Sequence, residues 1–130
     1  GMHELSLCIS IHGIVARAAA GRPVEVVNVQ VGQLRQVVPE TLSYCWTIVC
    51  EGGELDGSRL AIESIPVVVE CADCAATTRI HETLLLLCGI CGSGRIRLLS
   101  GQEFLITSLD LRGDQIPPAP SPAGSTRKED

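Results

Sequence analysis

Aromatic side chains are nearly missing: one Phe, one Trp and one Tyr occur in 130 residues. A core with so few rings must be mainly aliphatic. The 45% hydrophobic content is enough for one compact domain, or for a domain with a small appendage. No apolar run approaches the ~20 residues of a bilayer span, so no membrane role is expected. A secretory leader is not expected either, because a basic n-region is lacking and Glu4 and His12 interrupt the first apolar stretch. Positive charge is also in deficit, with ten Lys and Arg against fifteen Asp and Glu and a net charge of −5. A chain of that sign is poorly suited to holding phosphate backbones, so nucleic acid is not an expected partner. It suits a basic protein surface, or a cation as cargo. There is no Ser-His-Asp set, phosphate loop or carboxylate pair, so an enzyme is not expected.

What is present is cysteine, seven in all. An odd count with four residues in CxxC pairs favours metal-bound thiolates in a reducing compartment over a disulfide framework. The expected location is the cytoplasm. Cys71-Ala-Asp-Cys74 and Cys88-Gly-Ile-Cys91 are separated by thirteen residues. Each pair offers two thiolates from one tight turn, and two such turns complete a tetrahedral S₄ shell for structural Zn²⁺. All four positions are filled by protein, which leaves no open position for catalysis. Two CxxC disulfides, free thiols or a redox role for CxxC are the alternatives. Four thiolates around one Zn²⁺ bring the net charge to −7.

Periodicity gives the outline of a fold. Leu5, Cys8, Ile9, His12, Val15 and Ala19 recur at spacings of three and four, which predicts a helix over 5–20. Val27, Val29 and Val31 alternate with Asn28 and Gln30, so 24–31 reads as a strand with one buried face. Pro39 suits the first turn of a second helix with a stripe of Leu42, Cys45, Trp46 and Val49, stopped by Gly52 and Gly53. A strand with Leu60, Ile62 and Ser64 on one face follows, and Pro66 marks a boundary. The runs Val67–Val69 and Leu84–Leu87 read as strands of a small ribbon, and Phe104–Leu111 as a last strand that rejoins the first part. The Pro-, Ala- and Ser-rich stretch after Pro117 is expected to be disordered.

Met2-His3-Glu4-Leu5-Ser6-Leu7 resembles the start of the HypA/HybF family, the nickel chaperones of [NiFe]-hydrogenase maturation. The resemblance continues through Gly32-Gln-Leu34, Val38-Pro39-Glu40-Thr41-Leu42, Leu60 to Pro66 and Ser100 to Leu109, covering roughly residues 2–112. It implies an α+β fold, with two helices packed on a small mixed β-sheet and an inserted zinc ribbon of short β-hairpins. The expected divisions are 1–66 with strand 100–112 as a nickel-binding domain, 67–99 as the ribbon, and 113–130 as a disordered tail. It further implies Ni(II) as transient cargo, a GTPase partner of nickel insertion, the hydrogenase large subunit as recipient and, in some organisms, service to urease. His3 would be the side-chain nickel ligand. The amino terminus and backbone amides near Met2 and Glu4 would complete the set, which agrees with the preference of Ni²⁺ for planar nitrogen coordination.

Other residues have plainer readings. His12 is expected to pack in the core, and His81 to lie at the surface. Cys8, Cys45 and Cys50 should be small buried hydrophobes, and Glu54 and Asp56 turn or surface charges. Gly1 precedes the Met of the motif and is expected to be a remnant of a cleaved tag. Gly1-Met2-His3 then offers one amine, two amides and one imidazole to a square-planar metal without help from the fold. Because one chain holds both metals, the zinc and nickel sites are expected to be coupled, reciprocally in free energy. The competing function is a zinc-ribbon adaptor for nucleic acid or a protein partner.

Overall fold

The computed structural model describes residues 2–81 and 85–112. Helix α1 runs Met2–Ala19 and is buried along Glu4, Cys8, Ile11, Val15 and Ala19, one turn apart each time. The expected stripe was rotated from this one. Leu5 and Ile9 are exposed, and Ile11 takes the inward position. Glu4 caused the displacement. A carboxylate does not read as a core residue, yet Glu4 is only 3% exposed, with its Oε2 accepting the Val38 N–H at 3.0 Å. Gly21, with φ +85°, follows the helix end, and the Arg22 guanidinium donates to the carbonyls of Ala18 and Ala19.

Strand β1, Val24–Gly32, then leads through a short 3-10 turn, Gln33–Arg35, to helix α2, Pro39–Cys50. Proline opens α2 as expected. Leu42, Cys45, Trp46 and Cys50 are buried, with Val49 half-buried beside them. The indole N–H of the fully buried Trp46 donates to Ser58 Oγ at 3.0 Å, and Ser58 passes its own proton to the Leu55 carbonyl at 2.7 Å. This chain of partners lets the one large polar-tipped side chain sit in an aliphatic core. His12 is half-buried with its ring 6.0 Å from Trp46, and His81 is exposed.

Strand β2, Arg59–Ile65, pairs parallel with β1, and β6, Phe104–Leu111, pairs antiparallel with β1 on its other side. The mixed order β2-β1-β6 places Val27, Val29, Val31, Leu60, Ile62, Phe104 and Ile106 in one core with both helices. The opposite face is polar, with Asn28 bonded to Ser108 and Gln30 to Glu63. A register shift between Asn28 and Val29 breaks the alternation of β6.

A second sheet, β4-β3-β5, lies between β2 and β6 in the chain. It comprises β3 (Val67–Cys71), β4 (Thr77–Ile80) and β5 (Ile96–Ser100), all antiparallel neighbours. Leu84–Leu87 is not one of its strands: residues 85–87 are irregular, and Leu84 lies outside the described residues. A run of consecutive leucines suits a strand buried on both faces, and this sheet has only one small core, of Val67, Val69 and Ile80. Leu86 reaches that core from the loop, and Leu85 remains exposed. The stretch after Pro117 also lies outside the described residues. The architecture is the expected one: two helices on a small mixed sheet, with a cysteine-bearing ribbon inserted before the closing strand.

Candidate metal centre

Both CxxC pairs form the same knuckle. Cys71 ends β3, and its Sγ accepts the N–H groups of Asp73 and Cys74 at 3.3 and 3.4 Å. Cys88 Sγ accepts those of Ile90 and Cys91 at 3.3 and 3.4 Å. The residue after each pair is left-handed, Ala75 at φ +66° and Gly92 at φ +78°. The second position suits glycine, and alanine bears some strain at the first to make the same turn. The Ala75 N–H closes onto the Cys71 carbonyl and the Gly92 N–H onto the Cys88 carbonyl, each at 3.0 Å.

The two knuckles face one another. All four sulfurs lie within 4.8 Å, with Cys71 to Cys91 and Cys74 to Cys88 each at 3.6 Å. A tetrahedron with Zn–S bonds near 2.3 Å has edges of about 3.8 Å, whereas a disulfide needs about 2.05 Å. The spacing therefore fits one shared ion and none of the possible disulfides. Among the described residues this is the only grouping of three or more His, Cys, Asp or Glu ligand atoms. Its electrostatics split the four sulfurs: Cys71 and Cys88 are drawn toward thiolate, whereas the neighbouring sulfurs of Cys88 and Cys71 raise Cys74 and Cys91. The N–H groups of Cys91 and Ile90 lower Cys88 to about 6, and those of Cys74 and Asp73 also lower Cys71. Cys71 and Cys88 are buried, and Cys74 and Cys91 exposed.

The other three cysteines take no part. Cys8 donates to the Leu42 carbonyl at 3.3 Å, and burial pushes its thiol up to about 12. Burial raises Cys50 to about 11. Such thiols stay protonated and inert at neutral pH. An alkaline limit follows. The unfolded thiols ionise from about pH 9 and the folded ones do not. Their contribution is fully present below pH 9 and is lost as pH rises through about 12. Urea midpoints of the protein should fall between about pH 8 and about pH 11, and Cys8→Ala should flatten that fall. An unchanged slope in Cys8→Ala would remove this account.

At the other end of the molecule, His3 is exposed in the first turn of α1. The opening amides of a helix have no intrahelical acceptor, so one that loses its proton to bind a metal gives up no helix hydrogen bond. A dication there opposes the helix dipole and requires anionic donors. Glu4 is drawn inward toward Val38 rather than standing beside His3 at the surface. Gly1 and the Met2 side chain lie outside the described residues. Sequence reasoning passed over Asp73, Ser93 and Arg95, which gather around the knuckles. Their only signal was the presence of a carboxylate inside the first CxxC.

An α/β unit carrying a histidine at the head of its first helix, with a four-cysteine ribbon inserted before its last strand, defines a small metal-binding protein. The chain belongs to the HypA family, described as hydrogenase/urease nickel incorporation, metallochaperone, whose family model matches residues 2–111. It is 39% identical over 112 residues to the hydrogenase maturation factor HypA of Streptomyces avermitilis, covering 83% of this chain and 86% of that protein. Identity to the Geobacter sulfurreducens hydrogenase maturation factor HypA is 32% over 110 residues, covering 85% and 99%. The fold is similar to the solution structure of the Ni metallochaperone HypA from Helicobacter pylori, with a TM-score of 0.58 at 20% identity, covering 83% of this chain and 96% of that one. No described helix is long and apolar enough to cross a membrane.

Proposed function

We propose that this chain carries Ni(II) as transient cargo to the [NiFe]-hydrogenase large subunit, working in the cytoplasm with a GTPase partner and without turnover chemistry of its own. Residues 1–66 with 100–112 form the nickel-binding part, and 67–99 the zinc-binding part. Cys71, Cys74, Cys88 and Cys91 hold one structural Zn(II). His3 supplies the nickel imidazole, with backbone amides near Met2 and Glu4. The observation that carries this reading is an exposed His3 in the first turn of a helix, in a chain of the HypA family. The adaptor reading loses support at its own ribbon. Arg95 and Arg97 are paired with Asp73 and Glu70, which leaves little free positive surface for a phosphate backbone.

The test is a nickel titration of the chain beginning at Met2, beside its His3→Ala variant. The variant should bind nickel at least about tenfold more weakly, since an imidazole donor is lost from the set. Its zinc content should be unchanged. Equal nickel affinity in the two would count against His3. The same titration on the chain bearing Gly1 should give a different d–d spectrum, because the amine has moved one residue from His3. Identical spectra would show that the amine is not a ligand.

A further inference from the structure

A polar clasp joins the two knuckles along one edge of the metal centre. Asp73 lies inside the first knuckle, and its carboxylate accepts the Ser93 hydroxyl at 2.5 Å and the Arg95 guanidinium at 2.6 Å. Both partners belong to the segment that leaves the second knuckle. The Ser93 carbonyl accepts the Cys88 N–H at 2.9 Å, and its Oγ accepts the Arg95 N–H at 3.0 Å. The Arg95 carbonyl returns to the first knuckle by accepting the Ala72 N–H at 2.7 Å. The backbone N–H of Asp73 meanwhile donates to Cys71 Sγ. One residue thus holds a ligand sulfur with its main chain and the opposite knuckle with its side chain.

Zinc leaves an S₄ site one thiolate at a time, and each departure needs a sulfur to swing away from the other three. Cys91 is an exposed sulfur and stands 3.6 Å from Cys71, on the knuckle that Asp73 restrains. Moving the second knuckle outward breaks the bonds from Ser93 and Arg95. We infer that Asp73 is a positioning residue for the metal: by tying the two knuckles together it sets how slowly zinc leaves the four cysteines, without touching the ion. This inference rests on the zinc reading proposed above. Outer-shell partners of metal ligands typically matter by 10- to 100-fold. Arg95 and Asp73 are 74% and 39% exposed, which places this clasp at the lower end of that range.

The experiment measures zinc transfer from the full chain to an excess of a chromophoric chelator. Asp73→Ala should release zinc about tenfold faster than the parent. Asp73→Asn keeps a carbonyl acceptor and should fall between the two. Arg95→Ala should accelerate release, and the double variant should be little faster than Asp73→Ala, because both substitutions break one clasp. Glu70→Gln, which removes the charge from the Arg97–Glu70 pair beside Cys71 and leaves the bonds of Asp73 untouched, should match the parent. With Co²⁺ in place of zinc, the d–d bands should shift in Asp73→Ala and return toward the parent in Asp73→Asn. If Asp73→Ala retains no metal, Asp73→Asn and Arg95→Ala carry the same comparison. Release within about twofold of the parent in these variants would overturn the clasp, as would equal acceleration by Glu70→Gln. A parent chain with no metal on the four cysteines would sink the zinc reading itself and the clasp with it.

Discussion

Cys74→Ser should empty the zinc site and unfold residues 67–99, while α1, α2 and the β2-β1-β6 sheet persist. The two cores are of unequal strength. Apart from Cys71 and Cys88, the described residues of the ribbon bury an apolar cluster of Val67, Val69 and Ile80, with Leu34, Leu86, Ile96 and Leu98 half-buried around them. A core that small cannot offset the entropy of ordering some thirty residues at roughly 1–2 kcal/mol each. Structural zinc in small domains supplies about 10–16 kcal/mol, so on the proposed zinc reading the ion would be the main stabilising term. Serine at 74 removes a sulfur that stands 3.6 Å from Cys88, and its hydroxyl is a poor replacement for thiolate. The larger core draws on α1, β1, α2, β2 and β6 and contains none of the four ligand cysteines. Metal analysis should find the variant depleted of zinc. Amide exchange should show protection lost across β3, β4 and β5 and kept in the helices. Full zinc content in the purified variant would remove Cys74 from the ligand set.

Gly32→Ala should cost about 3–5 kcal/mol of stability, far more than Gly52→Ala. At Gly32 the backbone is ordinary, with φ −70° and ψ 143°, so the penalty is one of space. An added Cβ would sit 2.0 Å from the Gly101 carbonyl oxygen and 2.5 Å from the Gln102 nitrogen, and both are main-chain atoms. This is where the ribbon returns to the first sheet. The Gly32 N–H donates to the Glu103 carbonyl at 2.7 Å, and the Leu34 N–H to the Gly101 carbonyl at 2.8 Å. Moving residues 101–103 aside breaks both bonds and draws Leu34 away from the ribbon core. At Gly52 the φ is +76° but nothing lies within 4 Å of an added Cβ, so alanine there meets only the left-handed strain of about 1 kcal/mol. Urea unfolding of the two variants measures the difference, and equal midpoints would show that the junction yields freely. The same junction bears on the expected coupling of the metals. Leu34 touches the ribbon core, and four residues later the Val38 N–H holds Glu4, the neighbour of His3. Nickel affinity should differ between zinc-loaded and zinc-depleted parent protein, and that difference should shrink in Gly32→Ala. Unchanged nickel affinity on zinc removal would make the ribbon a passive clip or a docking surface.

Much of this protein follows from local pattern. Pro39 at the head of α2, the valine alternation of β1 and the closing strand at Phe104–Leu111 each follow from spacing or from one special residue, because the backbone responds to those signals over a few positions. The two CxxC pairs are equally local, since each knuckle is a turn within five residues, and chemistry supplies the rest. The register of α1 was not legible. Its stripe begins at Glu4, and the Val38 amide, 34 residues away, helps make a carboxylate acceptable there by donating to it. Of the expected ribbon strands, Val67–Val69 lies in β3, and Leu84–Leu87 was misplaced for a similar reason. A run of leucines reads as a strand until the sheet is known to have a single buried face, and β4 and β5, with Arg79 and Arg97 among their residues, carry little apolar signal. By itself, then, the sequence determined the helices and strands of the first sheet, the four clustered sulfurs and the family. Tertiary structure alone decided that Glu4 and Ile11 face inward on α1, which segments pair around the knuckles, and that Asp73, Ser93 and Arg95 meet across them. Contacts between residues far apart in the chain depend on where other elements place the backbone, and no spacing within a segment encodes that.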